Sequence, residues 1–93
     1  MAGAAGDNFT MKDEALTFSA FVLGLASAAL IHLGVQENPE TGKLSVELTL
    51  ARQSIDVLAL LREKTRGNLT VEEEPLFGSI LSDLQLRFIA KSK

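Results

Sequence analysis

Residues 17–34 read TFSAFVLGLASAALIHLG, and this uncharged stretch decides how the rest of the chain folds. Wound as a helix it is apolar on every side, whereas a helix at the surface of a small domain needs only one apolar stripe. Small residues recur four positions apart, at Ala20, Gly24 and Ala28. We expect a first helix over about residues 17–33 whose surface must be covered by other segments of the chain and by a partner.

The composition points to one helical domain. The chain has 93 residues, and 46% of them are apolar with few aromatic side chains. This apolar content is mainly Leu, Ala, Ile and Val, which favours helices. The absence of cysteine excludes disulfides, thiolate metal sites and thiol nucleophiles. A net charge of −3 gives no electrostatic footprint for nucleic acid.

The chain divides into a short tail and a domain. Residues 1–15 are small, glycine-rich and then charged, so we expect a flexible N-terminal tail there. Residues 16–91 are predicted to form a single helical domain. The first residues lack the basic region and cleavage site of a secretory signal, and we therefore expect a cytoplasmic protein.

A second helix is predicted over about residues 46–66, with Ser45 as its N-cap. Its start is ambiguous, because residues 44–50, LSVELTL, alternate apolar and polar positions as a strand does. The sequence leaves a short strand and a helix start open there. From Ala51 onward the pattern is helical, with two adjacent apolar strips instead of one. The first strip contains Leu48, Ala51, Ile55 and Leu58, and the second contains Leu50, Val57 and Leu61.

The third helix begins with a predicted capping box, in which Thr70 and Glu73 each accept a hydrogen bond from the other residue's amide. Pro75 lies near the start, where a missing amide costs little. Only residues 67–69 separate the second helix from the third, and so short a link makes the two an antiparallel hairpin. The predicted capping residues of the three helices are Thr17, Gly34, Gly67, Thr70 and Glu73.

Two further helices of this length cannot cover a first helix that is apolar all round. The sequence therefore predicts a homodimer or a higher homo-oligomer. The alternative is that lipid surrounds the first helix, because no charge interrupts the 22 residues between Glu14 and Glu37. Polar residues inside the stretch, acidic flanks and the absence of Trp and Tyr argue against a membrane helix. The predicted contact between copies consists of Phe18, Phe21, Gly24, Leu25, Ala28 and Ile31.

No residue pattern indicates catalysis, a cofactor or a metal. His32 is the single histidine, and acid–base or metal chemistry there would need a carboxylate partner such as Asp56 or Glu72. A hydrogen bond at the helix end is the simpler role for this side chain. Helix capping and the helix dipole explain the run Glu72–Glu74, because consecutive helical residues point in different directions and cannot chelate one ion.

Four segments combine apolar, polar and turn residues in a specific pattern: FSAFVLGLASAALIHLG at 18–34, PETG at 39–42, ARQSIDVL at 51–58 and EKTRGNLTVEE at 63–73. Together they resemble a family of small bacterial proteins catalogued as domain of unknown function 1844, over about residues 16–90. The resemblance implies a short helical protein with no assigned activity. It also implies that His32, Gln53, Asp56 and Asn68 belong to a shared design.

These observations predict an all-α fold, in which an antiparallel hairpin of the second and third helices packs on a hydrophobic first helix and oligomerisation completes the cover. The predicted function is a non-catalytic interaction or assembly module in the bacterial cytoplasm. Two alternatives stay open. One is a membrane-attached accessory protein that uses the first helix, and the other is a metal or acid–base enzyme that uses His32.

Overall fold

The computed structural model describes residues 17–93, and the predicted N-terminal tail over residues 1–15 lies outside them. Three helices follow one another: α1 over Phe18–His32, α2 over Leu48–Lys64 and α3 over Glu73–Lys91. No strand occurs within the described residues, and α1 contacts both other helices. The predicted all-α fold, with a hairpin of two helices packed on a first, is confirmed.

Both ends of α1 are closed by the residues that the sequence predicts. At the N-cap, the Thr17 hydroxyl accepts a hydrogen bond from the amide of Ala20 at 3.0 Å, which satisfies one of the free donors of the first turn. At the other end, Gly34 has a φ of 78°, and the amide of Val35 donates to the carbonyl of Leu30 at 3.0 Å. This is the Schellman arrangement, in which a residue with positive φ ends the helix.

The connection between α1 and α2, residues 33–47, is bonded to the C-terminal end of α1. The amide of Glu47 donates to the carbonyl of His32 at 2.7 Å. Val46 lies beside the glycine turn, since a Cβ added at Gly34 would be 2.7 Å from the Val46 Cγ2 atom. Gly34 therefore has two reasons to be glycine, its positive φ and the closeness of Val46.

The second helix begins at Leu48, two residues later than predicted, and Ser45 is not its N-cap. Glu47 occupies the N-cap with non-helical backbone angles (φ −127°, ψ 82°) and makes no side-chain capping bond. Its amide is bonded to the carbonyl of His32, which ties the residue before α2 to the end of α1. Residues 44–47 have no regular secondary structure, so the short strand that the alternating pattern of residues 44–50 left open does not occur in the described chain.

The second helix ends at Lys64, two residues earlier than predicted. Thr65 is the C-cap, and its hydroxyl donates to the carbonyl of Leu61 at 2.9 Å, a local bond that competes with continuation of the helix. The chain then turns, with the amide of Asn68 donating to the carbonyl of Thr65 at 2.8 Å. Gly67 lies inside this turn and has a φ of 86°, the positive φ that a glycine ending a helix adopts. It lies two residues beyond the C-cap, Thr65.

The predicted capping box at the start of α3 is present. The amide of Glu73 donates to the Thr70 hydroxyl, and the amide of Thr70 donates to the Glu73 carboxylate, both at 3.0 Å. The regular helix nevertheless starts only at Glu73, because Pro75 has no amide to donate to the carbonyl of Val71. The link between α2 and α3 is therefore longer than the predicted residues 67–69.

One side of each helix forms the core. α1 and α3 meet through aromatic rings, since the ring centroids of Phe18 and Phe77 lie 5.8 Å apart. On α1 the buried positions follow the three- and four-residue spacing of a single stripe, and this stripe is the side that faces the other two described helices. The buried core residues are Val22, Ala26, Ala29, Leu33, Ala51, Ile55, Leu58, Phe77, Leu81 and Leu84.

Leu84 and Leu86 form a matched pair on α3, because 2% of Leu84 and 67% of Leu86 is exposed. We expect Leu84→Ala to lower the free energy of unfolding by about 2–5 kcal/mol, since it removes buried methyl groups and leaves a cavity. Leu86→Ala should change it by about 0.5 kcal/mol or less. Urea denaturation at one fixed protein concentration measures both, and equal losses would contradict the assignment of Leu84 to the core.

A comparison of alanine substitutions at Gly34 and Gly42 distinguishes the cost of backbone strain from the cost of a steric clash. Both have positive φ, 78° and 70°, but a Cβ added at Gly42 meets nothing within 4 Å. Gly42→Ala should cost about 1–2 kcal/mol for its left-handed conformation. Gly34→Ala should cost more, because Val46 must also move, and Val46→Ala added to it should recover only the excess. The same urea titration tests this, and a Gly34→Ala loss no larger than that of Gly42→Ala would disprove the contact.

Candidate functional site

The side of α1 that points away from the core is an uncharged surface with exposed apolar side chains. We call it the outer face of α1. On it, 43% of Phe21 and 51% of Leu23 is exposed, although both are large apolar side chains. A Cβ added at Gly24 meets no atom within 4 Å. The outer face comprises Ala20, Phe21, Leu23, Gly24, Ser27, Ala28 and Ile31.

The outer face carries no charged side chain. Its polar member is Ser27, whose hydroxyl accepts a hydrogen bond from the side-chain amide of Gln36 at 2.8 Å. The Ser27 hydroxyl therefore already has a hydrogen-bond partner within the chain. The surface offers a partner apolar contact and close approach at Gly24, but no charge to recognise.

The six residues predicted to form the contact between copies lie in two different places. Phe21 and Gly24 are exposed on the outer face, and Ala28 and Ile31 are half-buried there. Phe18 and Leu25 are instead partly buried against the core, and the Phe18 ring contacts the ring of Phe77. A helix that is apolar all round gives no periodicity from which its inward side could have been identified.

Leu23 is exposed on α1 but was not among the residues predicted to form the contact between copies. Its neighbours in sequence are apolar, so no pattern distinguishes it. Large apolar side chains are also exposed on the other two helices. They are Leu50, Val57 and Leu60 on α2, and Leu76, Leu86 and Ile89 on α3. The second apolar strip predicted for α2 is thus partly exposed in the single chain.

A polar cleft lies between the end of α2 and the start of α3. The Arg62 Nη2 atom donates to the Glu74 Oε2 atom at 2.8 Å, which joins the two helices near their connection, as an antiparallel hairpin requires. Gly78 makes room for this pair, because a Cβ there would lie 2.9 Å from Arg62 Nη2. The cleft is lined by Ala59, Arg62, Glu63, Arg66, Glu74 and Leu81.

The charged side chains of this cleft pair with one another. Arg66 hydrogen-bonds to Glu63 one turn earlier, and this bond, aided by the positive charge, holds the pKa of the Glu63 carboxyl below its ordinary value. The same bond raises the pKa of Arg66. Glu74, which the sequence assigns to the helix dipole, has its partner in Arg62. The cleft therefore presents no unpaired charge to a substrate.

His32 and its predicted carboxylate partners lie in different surroundings. His32 is half-buried and borders the connection between α1 and α2. Asp56 lies between α2 and α3 beside Phe88, with its carboxylate 3.7 Å from Arg52. Glu72 is exposed. Within the described part of the chain, no group of three or more His, Asp or Glu side chains is placed to hold a metal ion.

No helix among residues 17–93 is long and apolar enough to cross a membrane. α1, which carries the apolar stretch, has 15 residues. At 1.5 Å per residue it is about 22 Å long, shorter than the ~30 Å hydrocarbon core of a bilayer.

Comparison with known proteins gives one result. A family model described as "Domain of unknown function (DUF1844)" matches residues 15–90, which is most of the chain. The resemblance seen in the sequence is thereby confirmed. Neither the curated proteins nor the solved structures contain a match. The comparison gives a family without giving an activity.

Because of the Glu63–Arg66 pair, we expect the stability of the fold to depend on pH. Because the pKa of Glu63 is lowered in the folded chain, its contribution to stability is present above the unfolded-state pKa and is lost as the pH falls through the folded-state pKa. Arg66→Gln should raise the Glu63 pKa toward its ordinary value. Arg87→Gln, which removes the partner of Asp83 on α3, is the matched control and should leave Glu63 unchanged. An NMR titration of the Glu63 carboxyl carbon measures both, and an unmoved pKa in Arg66→Gln would contradict the pairing.

Proposed function

Because the chain belongs to the DUF1844 family, whose description names no activity, we propose its function from its surface. We propose that it is a non-catalytic interaction or assembly module of the bacterial cytoplasm. It works as a homodimer or higher homo-oligomer, and the outer face of α1 is the contact between copies.

The observation that carries this proposal is the exposure of large apolar side chains on an uncharged helix side. Phe21 and Leu23 remain about half exposed, at 43% and 51%, beside the open position of Gly24. Burial of apolar surface contributes about 25 cal/mol per Å², so a few hundred Å² supply several kcal/mol before the entropy of association is subtracted. Contact with a partner is the way in which this surface lowers the free energy of the protein.

A second copy of the chain fits this surface better than a charged partner does. The outer face has no charge, so an acidic or basic partner finds no complementary group there. In a two-fold symmetric pair the same patch meets itself. An uncharged patch does this without like-charge repulsion, whereas a charged patch would oppose its own copy.

The charged side chains of the polar cleft do not favour acid–base catalysis there. Its two arginines and two glutamates are bonded in pairs, Arg62 to Glu74 and Arg66 to Glu63. All four side chains are more than a third exposed to solvent. Acid–base catalysis calls for groups whose environment shifts the pKa toward the working pH. The pair at Glu63 instead moves the pKa of that carboxyl further away from neutrality.

The mass of the purified protein in detergent-free buffer tests the proposal. Light scattering should give at least twice the 10.0 kDa of one chain. Gly24→Leu should lower the mass toward that of one chain, because the added side chain blocks close approach of a second copy. A Cβ at position 24 meets no atom within 4 Å among the described residues, so the fold should persist. Leucine is also a better helix former than glycine by up to about 1 kcal/mol.

Ala90→Leu is the matched control, since it also enlarges an exposed helical position, but on α3. It should leave the mass unchanged. Circular dichroism of both variants verifies that the helices remain. A wild-type mass of 10.0 kDa, or a Gly24→Leu variant that assembles as the wild type does, would refute the proposed contact.

A further inference from the structure

We infer that the partner on the outer face of α1 is a second copy whose α1 runs antiparallel, with the two helices crossing near Gly24. This inference rests on the proposed function and adds the direction and register of the contact. It is carried by three observations: the position of Gly24 along the helix, the charges of the connection that follows α1, and the sizes of the side chains on the two sides of Gly24.

Gly24 lies close to the middle of α1, which spans Phe18–His32. It is exposed, and its missing side chain leaves a low point in the centre of an otherwise apolar face. Helices approach most closely where side chains are smallest. A crossing at Gly24 also lays the more exposed N-terminal half of the face, which includes Phe21 and Leu23, over the partner.

The connection between α1 and α2 opposes a parallel pair. It contains Glu37, Glu40, Glu47 and Lys43, a net charge of −2, and all four are exposed. It reaches the outer face, because Glu40 borders the same depression as Ala28. A parallel pair places two such connections side by side. An antiparallel pair that crosses at Gly24 places the two Ala28 levels, which Glu40 borders, about 12 Å apart along the helix axis, beyond the roughly 8 Å over which salt screens charge at physiological ionic strength.

The side chains also favour the antiparallel direction. When two copies cross at residue 24, Phe21 of one copy lies opposite Ser27 of the other, a large side chain against a small one. In a parallel pair Phe21 meets Phe21 at the same level, and the two rings hold the helices apart. The antiparallel direction further sets the positive end of each helix dipole beside the negative end of the other.

The chain contains no cysteine, so single cysteines report the direction of the contact without background. A disulfide needs Cα atoms within about 7 Å of each other. In an antiparallel pair, Gly24→Cys meets its own copy at the crossing. Ala20→Cys faces position 28 of the other copy, and two cysteines at position 20 are about 12 Å apart along the axis.

We therefore expect Gly24→Cys to form a disulfide-linked dimer under mild oxidation, seen on a non-reducing gel as a doubling of the 10.0 kDa mass. Ala20→Cys alone and Ala28→Cys alone should stay single chains, whereas their mixture should link. Ala90→Cys on α3 is the control, because its disulfide formation measures the rate due to random collision. A variant that forms its disulfide no faster than Ala90→Cys is scored as making no specific contact.

Two outcomes overturn the inference. If Ala20→Cys and Ala28→Cys each link to themselves, the helices are parallel, and the homo-oligomer stands with the opposite direction. If no variant links faster than the control, the crossing at Gly24 is refuted. Light scattering of the same samples then separates the two proposals. A mass of 10.0 kDa refutes the homo-oligomer as well, and a larger mass leaves assembly through another surface.

Discussion

A helix that is apolar around its whole circumference, with two helices of the described chain to cover it, is the constraint on which the rest of the structure depends. α2 and α3 cover one side of α1, and the small side chains of Ala26 and Ala29 on that side let them approach closely. Packing on one side of a cylinder leaves the other side outside. The exposure of Phe21 and Leu23 therefore follows from the composition of α1 and from the number of described helices that pack on it.

Structural details that depend on contacts between residues a few positions apart were predictable from the sequence. Details that depend on contacts between different helices were not. The cap at Thr17, the glycine turn at Gly34 and the capping box at Thr70 each depend on residues a few positions away. The start of α2 depends on a hydrogen bond between Glu47 and His32, which belong to different elements. Side-chain capping at Ser45 was a local prediction, and this longer-range bond replaced it.

The same division holds for the surface. No Asp, Glu, Lys or Arg on α1 marks an outward side, so only the packing against Phe77 shows that Phe18 belongs beside the core. The pairing of Arg62 with Glu74 was equally hidden, because it needs two helices and the space above Gly78. A charge pattern along one helix explains Glu74 through the helix dipole, and that explanation is incomplete without the neighbouring helix.

The hydrogen bond from the Glu47 amide to the His32 carbonyl links the last turn of α1 to the first turn of α2. The carbonyl of Glu47 in turn accepts the first helical bond of α2, from the amide of Ala51 at 2.9 Å. When the end of α1 frays, the amide of Glu47 is released and the fixed start of α2 is lost with it. Opening in proteins proceeds by such linked units. The amide of Glu47 lies outside the three helices of the described chain, yet we expect its hydrogen exchange to be slowed for as long as the ends of α1 and α2 stay folded together.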